Sequence, residues 1–241
     1  SQDRTILVRN GETGEPMTTL LAGSGVGSVE FLDNGETLVA STSHMLKRWS
    51  LSDLNGDTLS PGWNQVGWVA TIPDRDQFIA HALGRSEMVI ASMESPQSAT
   101  IANSSFTGAI AIRNTDGGSE VWGSSLGKDG ILNRLNFADN STSPGMETGH
   151  TDLIRTIVFN DSGDLVATSA SDWTIRVHDV ETAELKGEFH DLSSVVRCLA
   201  FDAKTGDLLS HHHGGGVLRW DLDTGERTVL AEDRGTGPNR F

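Results

Sequence analysis

The run His211-His212-His213-Gly214-Gly215-Gly216 has the most obvious capacity for chemistry in this sequence. In an extended segment alternate side chains share a face, so His211 and His213 point one way and His212 the other. Two imidazoles on one face, with a third ligand such as His44 or His150, would suit a tetrahedral zinc. No cysteine pair and no His-Glu helix motif supports a metal, and a polar Asp/Ser/Gly turn accommodates such a run unaided. No metal and no other cofactor is therefore expected. No serine nucleophile is expected either, and Cys198 has no evident histidine partner. Gly23-Ser24-Gly25-Val26-Gly27 lacks the lysine of a phosphate loop. The chemistry that remains is recognition. Trp173, in Ser171-Asp172-Trp173-Thr174, is a large aromatic in a turn, and exposed Trp is enriched where proteins bind. Arg85 (Leu83-Gly84-Arg85-Ser86) and Lys128 (Gly127-Lys128-Asp129-Gly130) occupy corresponding turns and would suit an acidic peptide or a phosphate. Trp173, Arg85, Lys128, His211, His212 and His213 are the candidate partner-binding residues.

Those turns need elements to hold them, and the sequence supplies a repeated unit. Thr174-Ile175-Arg176-Val177-His178-Asp179 precedes Glu181-Thr182-Ala183-Glu184, and Val217-Leu218-Arg219-Trp220-Asp221 precedes Asp223-Thr224-Gly225-Glu226. Thr5-Ile6-Leu7-Val8-Arg9-Asn10 precedes Glu12-Thr13-Gly14-Glu15. His178 and Trp220 are 42 residues apart, and Trp49 lies 129 residues before His178, three steps of 43. Upstream of these copies, short apolar runs are broken by Asp, Asn and Gly: Ser28–Leu32 with Thr37–Ala40, Arg155–Phe159 with Leu165–Thr168, and Arg197–Phe201 with Leu208–Leu209. Such runs are strands joined in hairpins, and each period holds four. The divergent copies Glu87–Ser92 and Ile131–Asn136 keep the spacing. An all-β array of four-stranded antiparallel sheets with a period near 43 is a β-propeller.

The residues resemble WD40 repeats. Trp220-Asp221 is the dipeptide of that family; His178-Asp179 and Trp49-Ser50 each depart from it by one residue, and Gly149-His150 is similar to its glycine-histidine pair. The resemblance implies a buried polar network of His150, a hydroxyl from Thr168 or Ser169, Asp172, and the residue at the Trp position, here His178. It also implies a rigid protein-interaction scaffold or sensor module, non-catalytic, presenting its loops to a protein or peptide. A lactonase-like hydrolase and a carbohydrate-binding propeller are the alternatives.

Full blades are expected over 27–60, 63–102, 106–148, 153–190 and 195–231, with only two strands of a further blade in 1–22, all within a single domain 1–241. At about five and a half blades, the remaining strands are expected from another polypeptide or chain segment. Thirty-three acidic against eighteen basic residues give a net charge of −15, which argues against nucleic acid or an anionic membrane as partner. No run of 18 apolar residues is present. A single cysteine cannot form an internal disulfide, so a reducing cytoplasm is expected. Fourteen arginines against four lysines suggest a GC-rich bacterial source.

Overall fold

A computed structural model describes residues 3–231 except 33–34, 44, 59–65, 73–74, 76, 83–86, 93–99, 104–105, 107, 126, 128, 138, 140, 191–193 and 214–215. Arg85, Lys128 and His44 lie outside the described residues. The described residues form strands and turns with no α-helix, and the chain divides into two compact units, 1–103 and 104–241.

In the first unit, β1 (Thr5–Arg9) pairs with β2 (Pro16–Leu21) in a two-stranded sheet. Two four-stranded sheets follow: β3 (Val26–Leu32), β4 (Thr37–Thr42), β5 (Leu46–Ser50) and β6 (Gly56–Thr58); then β7 (Val66–Ile72), β8 (Gln77–Ala82), β9 (Glu87–Ser92) and β10 (Thr100–Asn103). The second unit has three: β11 (Ile110–Thr115), β12 (Gly118–Ser124), β13 (Ile131–Asn136) and β14 (Ser141–Glu147); β15 (Ile154–Phe159), β16 (Leu165–Ala170), β17 (Ile175–Asp179) and β18 (Leu185–Phe189); β19 (Val196–Phe201), β20 (Leu208–His212), β21 (Val217–Trp220) and β22 (Arg227–Ala231). Every sheet is an antiparallel meander in chain order.

Within each unit the sheets pack face to face. In the second, Ala167, Ile175 and Val177 of one sheet meet Leu199, Leu208 and Trp220 of the next, with the Phe189 and Trp220 rings 4.8 Å apart. In the first, Val39 and Leu46 meet Val69, Phe78 and Ala80. Middle strands are covered on both faces. That is why β4 and β16 read as runs of small and β-branched residues rather than alternating ones.

The hairpin from the third to the fourth strand is encoded locally. Asn10, Asp179 and Asp221 each accept two backbone N–H groups from the residues two and three further on. A side-chain oxygen there replaces the backbone partners that the turn leaves unpaired. Two residues before the fourth strand's Glu, the threonine repeats the device: Thr13, Thr182 and Thr224 accept from Glu15, Glu184 and Glu226. The next position requires a left-handed backbone. Gly14 and Gly225 adopt it at φ 71° and 74°, but Ala183 must do so at 57° and carries a Cβ. Ala183→Gly is therefore expected to stabilise the chain by about 0.5–1 kcal/mol, the αL penalty less the extra unfolded-state entropy of glycine. Urea denaturation reads this directly, and a destabilised variant would refute it.

Candidate functional site

The second unit holds a carboxylate, an imidazole and a hydroxyl in line. Asp172 Oδ2 lies 2.9 Å from His150 Nδ1, and His150 Nε2 lies 2.9 Å from Thr168 Oγ1. A carboxylate only accepts, so Nδ1 carries the proton and Nε2 accepts from the threonine hydroxyl. Asp172 also accepts from the backbone N–H of Thr151 and from both the N–H and the hydroxyl of Thr174. Burial pushes the Asp172 carboxyl up, but these donors outweigh it and hold it below its ordinary value. Burial lowers His150, and the nearby Asp172 only partly offsets this, so the ring is neutral.

This is the order of groups by which enzymes activate a nucleophilic hydroxyl. Here the hydroxyl belongs to β16, and Thr168 is wholly buried between sheets. No substrate carbonyl can reach it. The array ties the loop before β15 (His150, Thr151) to the turn after β16 (Asp172, Thr174), so its effect is to fix a turn.

The other predicted network residues fall as follows. Ser169 faces away from His150 and bonds the Thr156 hydroxyl at 2.6 Å, so Thr168 is the hydroxyl that His150 uses. His178 is buried, and its Nδ1 has no hydrogen-bond partner. It therefore does not join the network: an imidazole reaches less far than the indole of Trp220, which donates from Nε1 to Ser210 Oγ at 2.8 Å. Burial lowers His178. Trp49 is buried against the two-stranded sheet, and Asp221 caps its hairpin.

Of the histidine run, His211 and His213 are exposed, as alternation requires. His212 is corrected: it is not a contact residue but is buried. Its Nε2 meets Ser210 Oγ at 2.8 Å and its Nδ1 meets the Ser194 carbonyl. With Trp220 it forms the last sheet's own polar network. From sequence these positions looked like solvated turn; β20 in fact extends through His212 and turns its side chain inward. Among the described residues no three His, Cys, Asp or Glu side chains cluster as metal ligands would.

Gly123-Ser124-Ser125-Leu126-Gly127 does have Gly-x-Ser-x-Gly spacing, which the sequence reading passed over. Ser125 follows β12 and leads into another strand, not a helix. Its hydroxyl donates to Asp129 at 3.1 Å. An elbow needs a strand-to-helix turn and a histidine base, so the match is incidental.

Two groups escaped the sequence. Arg113 on β11 is buried and reaches three places: Nε donates to the Gly163 carbonyl (2.6 Å), and its terminal nitrogens pair with Glu120 (3.1 Å) and Glu181 (2.7 Å). It clamps one sheet to two turns of the next. Gly163 has φ 73°, and a Cβ there would lie 2.5 Å from the Asn114 carbonyl, so the seam needs glycine. The second group is a bulge in the first strand, at Gly27, Gly67, Arg155 and Arg197. Arg155 and Arg197 are exposed on neighbouring strands of the second unit, β15 and β19.

Trp173 is half exposed and has φ 67°, left-handed for a bulky residue. Its turn is the one pinned by Asp172.

Comparison with known proteins agrees with this geometry. Residues 143–179 match the family described as WD domain, G-beta repeat. Over 84 residues the chain is 35% identical to the target of rapamycin complex subunit wat1 of Schizosaccharomyces pombe. That match takes in 35% of this chain and 26% of the relative, so the chain spans about a quarter of its length. Among solved structures, the β-propeller domain of Myceliophteria thermophila Cps50 (Swd1) superposes with a TM-score of 0.75 at 16% identity, over 93% of this chain and 78% of that one. At that identity the likeness shows the fold: a β-propeller of four-stranded antiparallel blades.

Proposed function

We propose that this chain, a WD40-repeat protein, is a non-catalytic scaffold or sensor module that binds a protein or peptide through the turns between its strands. The observation that carries the proposal is the use made of the most reactive-looking groups. Asp172, His150 and Thr168 are consumed in fixing a turn that presents Trp173. A binder needs that rigidity, because a fixed surface loses less entropy on association. A part in a larger signalling, defence or protease assembly is consistent with the matched relative, which is itself a complex subunit. The net charge of −15 favours protein over nucleic acid or membrane as partner. The single exposed thiol of Cys198 suits a reducing compartment such as the cytoplasm.

A second contact surface follows from the two-stranded sheet. Val69, Ile157 and Leu199 occupy one position of the repeat and are all at least 95% buried beneath the preceding sheet. The same position in β3 is Val29, 44% exposed, with Phe31 at 51%. The sheet before β3 has only β1 and β2, and β1 pairs with β2 alone among the described strands. We assign this face and the edge of β1 to a further β-hairpin, from another polypeptide or chain segment, added as new strands.

Affinity recovery of the tagged chain from its native cells, followed by native mass spectrometry, is expected to return a protein partner at integer stoichiometry. Recovery of the chain alone with one divalent metal would favour the hydrolase alternative and overturn the scaffold. Phe31→Asp is expected to abolish that recovery while changing the stability of the isolated chain by less than about 0.5 kcal/mol, as for other exposed positions. A loss above about 2 kcal/mol would mean that the chain covers this face itself.

A further inference from the structure

Two independent oddities meet at one end of the last two sheets. The first is Trp173. A left-handed backbone costs a residue with a Cβ about 1–2 kcal/mol, and this Trp gains little burial in return, being 51% exposed. Glycine would fit the turn without strain. Leu54 shares this backbone and a similar exposure, so the strain at Trp173 points to function only together with the groups around it.

The second is a pair of arginines. In the second unit Arg113, Arg134, Arg176 and Arg219 all pair with carboxylates. Arg155 and Arg197, like the exposed Arg227, pair with none among the described residues: Arg155 Nε donates to the Ser171 hydroxyl at 2.7 Å, one residue before Asp172. Both stand at the bulge of a first strand, where one residue is left out of the ladder and its side chain is re-aimed. The strands β15 and β19 are neighbours, and each carries its exposed arginine at the same bulge. His211, opposite Cys198 on β20, and His213, whose N–H donates to the Val195 carbonyl, flank Arg197 and are exposed. In a protein with 15 surplus negative charges, cations left without carboxylates form a local field of opposite sign.

We infer that Arg155, Arg197 and Trp173 form the docking surface for an acidic peptide segment of the partner, whose carboxylates meet the two guanidiniums and whose apolar side chain stacks on the indole. Charge complementarity selects this occupant. Arginine pairs with carboxylates in a planar, bidentate fashion, and Trp supplies apolar area that needs no ordering. The inference rests on the scaffold reading and gives it a partner chemistry.

The test is a fluorescence-anisotropy titration of the full chain with a labelled peptide, EEDEFEEDE, against KKRKFKKRK. The acidic probe is expected to bind and the basic one not to. Affinity should fall about tenfold or more as salt rises from about 50 to 200 mM, as for contacts made largely by exposed charges. Arg155→Glu with Arg197→Glu should abolish binding, and Trp173→Gly should weaken it about tenfold, the scale of an interface hot spot. The glycine suits φ 67°, so Trp173→Gly stays folded, and circular dichroism melting of each variant checks this. Equal binding of both probes, unchanged binding by the folded variants, or full displacement of the probe by inorganic tripolyphosphate at equal charge would overturn the inference. If the probe fails while the native partner is still recovered, only this surface falls and the scaffold stands.

Discussion

Asp172→Ala is expected to lower the stability of the chain by about 3 kcal/mol, because the carboxylate answers four donors and two of them cannot find water. His150 and the Thr174 hydroxyl are enclosed, whereas the Thr151 N–H lies at the surface. Removing one partner of a buried charged hydrogen bond leaves the others to bear their desolvation, about 1–3 kcal/mol each. Asp172→Asn keeps the shape but offers one acceptor oxygen instead of two, and should fall between. Urea denaturation followed by fluorescence gives the midpoints. A loss under about 1 kcal/mol for the alanine variant would mean that the network does not hold the turn. The same variant should release Trp173, seen as a red-shifted and more quenchable emission.

Acid should weaken the fold in the range where histidine titrates. Burial lowers His150, His178 and His212 below the ordinary 6.5. Unfolded, these rings take up protons near 6.5; folded, they do not until lower pH. The unfolded state therefore binds more protons below 6.5, so stability is full above that value and is lost as the pH falls beneath it. The three losses add, and they grow as the unfolded rings fill with protons below pH 6.5. Glu30 works in the opposite sense, since half-burial raises its carboxyl and protonation favours the folded state. Denaturation midpoints at pH 7.5 and 5.5 measure the balance, and His212→Gln should flatten it. Equal stability at both pH values would contradict neutral, buried histidines.

Much of the fold was legible because it is written locally and repeatedly. Asp179 and Asp221 cap their own hairpins, so the turn and the two strands beside it appear in one short window. His150 and Asp172 were legible only through the resemblance to WD40 repeats, which implies their pairing. His212 was not: three consecutive histidines look alike in sequence, and only the length of β20 decides which one turns inward. Arg113 was invisible for a different reason. Its partners Gly163 and Glu181 lie 50 and 68 residues away, and nothing near Arg113 records them. The bulges at Arg155 and Arg197 depend on register, which is fixed by packing between strands rather than by either strand's composition.

The reach of Arg113 bears on how the second unit breathes. One guanidinium holds a backbone carbonyl in the β15–β16 turn and a carboxylate in the β17–β18 turn, while rooted in β11. Neither turn can swing away without stranding a cation in a dry seam. Fluctuations that would otherwise stay within one hairpin are thus shared across two sheets, and their amides should exchange with solvent as a single cooperative block.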